Sequence, residues 1–163
     1  MKTWEIITMS FLMAVVATIG TAGMALAYTN SSDIIGGVVV PAACIVTLNG
    51  SAIDFGSLAP GLDTGATNQI IQVTNDGNTL TTSVTIEATQ WSDGGTNTMV
   101  VGQTEWNNTG FTYGEGTALT GSPVSIGSNL AAGGTQNLFF GVGVPVQQAA
   151  ATYNQTITVT MNC

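Results

Sequence analysis

Apolar and polar residues alternate one for one along much of this chain, and no segment of useful length repeats its apolar residues every 3.6 positions. In TTSVTIEAT, Val84, Ile86 and Ala88 fall on one face and Thr85, Glu87 and Thr89 on the other. QTITVTMNC does the same: Ile157, Val159, Met161 and Cys163 oppose Thr156, Thr158 and Thr160. In ACIVTLN, Cys44, Val46 and Leu48 share parity. The same reasoning predicts strands at SAIDFGS, NQIIQVTN, TMVVG, GFTYG, SPVSIG and NLFFGVGVP.

Turn signals separate these runs: APG at residues 59–61, NDGN at 75–78, SDGG at 92–95 and AAGG at 131–134. Short strands punctuated in this way predict an all-β fold, an antiparallel β-sandwich of jelly-roll or immunoglobulin-like type, and not alternating βαβ units. Pro145 should end one strand and Tyr153 should open the last. The interval from Gln90 to Gly134 is the least regular and should hold the longest loops.

The first residues break the pattern. Lys2, the apolar run FLMAVVATIG and the small residues of ALA at 25–27 read as a secretory signal over residues 1–27. A retained membrane helix is the alternative, and GMA at 23–25 is a second cleavage motif. The expected organisation is a signal at 1–27, an N-terminal extension at 28–41 and a sandwich domain at 42–163. The chain would then be secreted and act at the cell surface.

Charge narrows the partners. The chain has nine acidic residues against one basic, and Lys2 is that one. A mature surface without cations cannot neutralise phosphates, which excludes nucleic acid and anionic membrane surfaces as partners. Four sequons, at Asn30, Asn49, Asn107 and Asn154, are candidate N-glycosylation sites that could shield a surface otherwise dressed in amides and hydroxyls. Cys44 and Cys163, the two cysteines, are expected to form one disulfide. Two free thiols or bonds between chains are the alternatives. On the chain-entropy model a loop of this size stabilises by about 4–5 kcal/mol. Because both cysteines have the parity of apolar residues, the bond is expected inside the packed sandwich.

Chemistry is sparse. Without His, or any Lys after position 2, neither a nucleophilic triad nor a zinc site can be assembled. Paired carboxylates for glycoside cleavage would have to come from acids scattered mostly in turns. The sequence therefore predicts no enzyme, no cofactor and no metal. Asn75, Asp76 and Asn78 offer oxygens at close spacing, but a turn using them for backbone geometry is the simpler reading. Trp91 and Trp106 are candidate sugar platforms, although core tryptophans are commoner.

SLAPGLDTGATNQIIQVTNDGNTLTTSVTIEATQW, residues 57–91, resembles the stretch shared by TasA/camelysin-type biofilm matrix proteins and archaeal bundling pilins. Leu58, Pro60, Gly61, Asn75 and Gly77 match the L-x-P-G turn and the later N-x-G turn. Spore-coat U type pilin domains are a looser likeness. The resemblance implies a jelly-roll-like sandwich that polymerises by donor-strand complementation, the N-terminal segment of one subunit completing the sheet of the next. The disulfide departs from that pattern.

IIGGVVV, comprising Ile34, Ile35, Gly36, Gly37, Val38, Val39 and Val40, suits a donor strand. Left unpaired it is an aggregation hazard. Ile34, Val38 and Val40 share a face with Gly36, and burying their side chains is worth roughly 5–9 kcal/mol. Ordering the segment costs about 7–14 kcal/mol, offset by ladder hydrogen bonds at ~0.5–1.5 kcal/mol each. It must therefore dock, either in a neighbour or as the first strand of its own domain. Pro41 separates it from the next strand, and it lies outside the expected disulfide loop. The reading is a structural subunit of an extracellular filament, a head-to-tail polymer with itself as partner. A monomeric cell-surface or S-layer-associated sandwich, with glycans as ligands, is the alternative.

Overall fold

Alternation becomes ladder in β3 (Ser83–Ala88), where Val84 and Ile86 are each 1% exposed while the residues between them are half-covered. β3 is central in a three-stranded antiparallel sheet of order β10-β3-β8, flanked by β10 (Ile157–Asn162) and β8 (Val124–Gly127). The computed structural model describes residues 38–163. The signal segment, Asn30 and Ile34 to Gly37 lie outside the described residues.

A five-stranded sheet faces the first. Its order is β1-β2-β9-β6-β7, formed by β1 (Val46–Leu48), β2 (Gln69–Asn75), β9 (Thr135–Val142), β6 (Thr104–Asn107) and β7 (Thr117–Ala118). Every pairing in both sheets is antiparallel. Val73, Trp106, Leu138 and Phe140 from this sheet pack with Val84, Ile86, Ala88 and Ile126 from the other in one core. The fold is an all-β antiparallel sandwich, with residues 42–163 as one compact unit. A small hairpin of β4 (Trp91–Ser92) and β5 (Thr98–Met99) holds a second cluster of Trp91, Met99 and Val142.

Several expectations are corrected. Residues 51–57 form no strand. Ile53 and Phe55 still pack on the core, so the alternation was real. The backbone, however, turns where Asp54 Oδ1 accepts the Gly56 amide at 2.8 Å and Gly56 adopts a φ of 71°. Residues 110–114 are likewise a turn, held by Glu105 Oε2 accepting the Gly114 amide at 2.7 Å. The interval 90–134, expected to hold the longest loops, contains β4 to β8, and the longest strand-free stretches instead precede β2 and β10. β9 ends at Val142, before Pro145, and β10 begins at Ile157, after Tyr153.

Candidate assembly groove

β10 begins with two anchors. Thr104 Oγ1 accepts the Trp91 indole N–H at 2.9 Å and donates to Gln155 Oε1 at 2.7 Å, while Gln155 Nε2 donates to the Thr89 carbonyl at 2.8 Å. The bond from the Thr89 amide to the Thr156 carbonyl, 2.9 Å, sets the parity of the ladder with β3. Residues 156, 158, 160 and 162 hydrogen-bond to β3. The amides and carbonyls of Ile157, Val159 and Met161 therefore point to the opposite edge, where β10 has no neighbouring strand. The inward side chains of these three are only half-buried, whereas their counterparts on β3 are sealed.

Beside that edge lies a groove of about 710 Å³. One wall is β10 with residues 148–155, the other is the strand-free stretch 50–58. Phe140 and Val142, 2% and 3% exposed, are its most buried lining residues. Phe55 packs edge-on to Trp91 with ring centroids 6.1 Å apart. The residues 148–155 are braced by Tyr153, whose hydroxyl accepts from Gln148 Nε2 at 2.6 Å and donates to the Ala149 carbonyl at 3.0 Å. The result is an apolar trough alongside an unsatisfied sheet edge.

Cys44 and Cys163 are joined, with Cα atoms 5.8 Å apart. Both are exposed, which corrects the expectation of a bond inside the packed sandwich. β1 and β10 are outer strands of different sheets, so the bridge spans the rim between them and the face shared by Val46 and Leu48 is not sealed. Cys44 is placed by the turn at 75–78. Asn78 Oδ1 accepts the Ala43 amide at 2.7 Å and the Asn78 amide donates to the Ala43 carbonyl at 3.0 Å. Gly77 is required there, because a Cβ would collide with the Ala43 carbonyl oxygen. Asn75 and Asn78 thus serve backbone geometry. Among the described residues no group of three His, Cys, Asp or Glu side chains is gathered as a metal would need.

Of the segment expected to donate a strand, Val38, Val39 and Val40 are 77%, 67% and 69% exposed and belong to no strand. Asn49 is exposed, with its Oδ1 accepting the Gln72 amide at 2.8 Å. Asn107 is half-buried at the end of β6. Asn154 is exposed, lines the groove and exchanges backbone bonds with Ser92 at 2.8 and 2.9 Å. A glycan on Asn154 would stand at the groove wall. Trp91 and Trp106, 9% and 7% exposed, are core residues and offer no surface platform. Two titrations are shifted. The Asn97 side chain, then the Gly95 amide, hold the Asp93 carboxyl below its usual range, and burial, then Glu105 and Asp63, push the Tyr113 hydroxyl up.

No family model matches the chain, and no curated protein matches it. A similar solved structure is that of a family 123 glycoside hydrolase from Clostridium perfringens, an enzyme of glycolipid glycan hydrolysis. It has a TM-score of 0.42 and 12% identity, over 64% of this chain and 19% of that one. The chain spans about a fifth of that protein's length. The expectation that this protein is not an enzyme is withdrawn: the similar structure is a hydrolase's, and a likeness at this level decides neither an activity nor its absence. The disulfide marks an oxidising, secreted or extracellular setting. No helix among the described residues is long and apolar enough to cross a membrane.

Proposed function

We propose that the chain is the structural subunit of an extracellular filament, in which residues 34–40 of one copy fill the groove beside β10 of the next. The observation that carries this reading is the unpaired edge of β10 along an apolar trough. An added strand would satisfy the outward amides and carbonyls of Ile157 and Val159 and cover their half-exposed side chains, up to where Cys44 lies against the Met161 carbonyl, so main-chain bonds supply affinity and alternate side chains supply register. Val38, Val39 and Val40 are the matching half: exposed, β-branched and outside any strand. A strand passed from each copy to the next gives an open, head-to-tail chain.

Deleting residues 28–40 tests it. The expected product is a soluble, less stable monomer that binds an added peptide of residues 34–40. Val38→Asp should block polymerisation more than Val39→Asp, because it puts an unpaired charge on the groove-facing side at a cost of several kcal/mol. Filaments that persist after the deletion would refute donor-strand assembly. A wild-type protein that stays monomeric under negative stain would favour the monomeric surface sandwich.

A further inference from the structure

We propose that the Cys44–Cys163 disulfide carries tension from subunit to subunit, so that the domain it closes bears no load when the filament is pulled. The proposal rests on the donor-strand reading above. In that reading β10 receives the incoming strand, and β10 leads directly into Cys163, the last residue of the chain. Cys163 is bonded to Cys44, and only Pro41, Ala42 and Ala43 separate Cys44 from Val40. A pull entering at the acceptor strand therefore reaches the subunit's own donor strand through one disulfide and a few residues of backbone. Residues 45–156, the stretch between Cys44 and β10, are left outside the line of force.

The alternative route is weak. Without the bridge, a pull from Val40 falls on the two bonds between Ala43 and Asn78 and the Asp76–Ile45 bond, and then on β1, a three-residue strand at the edge of its sheet with Val46 and Leu48 more than a third exposed. Its pairs, Val46 with Asn75 through Leu48 with Val73, would be loaded one after another from the Cys44 end. Peeling β1 leaves β2 as the next edge, and the sandwich would unravel from there. A bond serving only to restrict the unfolded chain has no need to join the acceptor strand to the root of the donor strand. This one does both.

The test is force spectroscopy on single filaments of the full mature protein. Oxidised filaments should part between subunits without stepwise lengthening. Filaments assembled first and then treated with a phosphine reductant, which can reach the exposed bond, should lengthen in steps before they part. With residues 45–156 released at ~3.3–3.6 Å each, a step is about 370–400 Å. Filaments of the Cys44→Ser/Cys163→Ser double variant should show the same steps, and the reduction arm stands alone if that variant does not fold. Steps of this size in oxidised filaments, or none after complete reduction, would overturn the proposal while leaving the filament reading intact. A wild-type protein that forms no filaments would overturn both.

Discussion

Asn75 shows how much of this fold depends on single polar side chains. It is fully buried at the end of β2, where Nδ2 donates to the carbonyls of Thr79 and Leu130 at 2.8 and 2.9 Å and Oδ1 accepts the Gly77 amide at 3.0 Å. It thereby shapes the turn on which Ala43, and so Cys44, is fastened. Asn75→Ala would leave the Thr79 carbonyl and the Gly77 amide without partners, at ~1–3 kcal/mol for each one that stays dry, while the Leu130 carbonyl keeps the Thr81 amide. Chemical denaturation should show a loss of about 2 kcal/mol or more. A loss below about 1 kcal/mol would mean that water replaces the side chain and that the turn does not depend on it. The sequence marked this residue as part of a turn signal. Its burial, and its bond to Leu130 far along the chain, belong to the folded state.

Among the elements, β10 decides most. Its parity makes a sharp prediction. Val159→Pro removes an amide that points to the open edge, a place where a strand tolerates proline. The monomer should keep its fold, with a loss under about 2 kcal/mol, while assembly fails because the incoming strand loses an acceptor's partner and meets the ring. Thr158→Pro removes an amide aimed at Glu87 in β3 and should cost about 3 kcal/mol or more. Circular dichroism and pelleting assays on both variants check this. Equal effects on folding would show that the assigned parity is wrong. β2, β3, β9 and β10 were legible as strands because each is long enough to repeat its alternation. β1, β5 and β8 fall within the predicted ACIVTLN, TMVVG and SPVSIG, whereas β4 and β7, with two residues each, are too short for any period, and β6 was missed. Residues 51–57 misled for the opposite reason: Ile53 and Phe55 turn inward as a strand's would, but no strand lies alongside to make a ladder.

At the scale of the whole molecule, charge sets the conditions for assembly. The formal net charge is −8, and beyond Lys2 there is no cation with which two copies could form an ion pair. In the proposed filament, subunits would approach against like-charge repulsion, with apolar burial and backbone bonding as the attraction. Raising monovalent salt from about 0.01 to about 0.15 M shortens the screening length from roughly 30 to roughly 8 Å. Polymerisation followed by light scattering should accelerate several-fold over that range. Slower assembly at higher salt would point to an interface held by charge pairs, which this chain cannot supply to itself.

The alternation of side chains, the turn residues and the two cysteines determined by themselves that the chain is all-β, antiparallel and stapled once, because each of these is a local or compositional property. Which strands lie at an edge was decided only in the tertiary structure. Strand order depends on contacts between residues far apart in sequence, as when β2 pairs with β9 or β10 with β3. Period-two alternation reports that one face of a strand is covered, and says nothing of its flanks. Hence Cys44 and Cys163 could be paired from sequence yet be misjudged as buried: side-chain parity told which way they point, and only the sheet order told that they stand on the rim. The groove beside β10 follows from the same physics, since a flank without a neighbour leaves no trace in the strand's own residues.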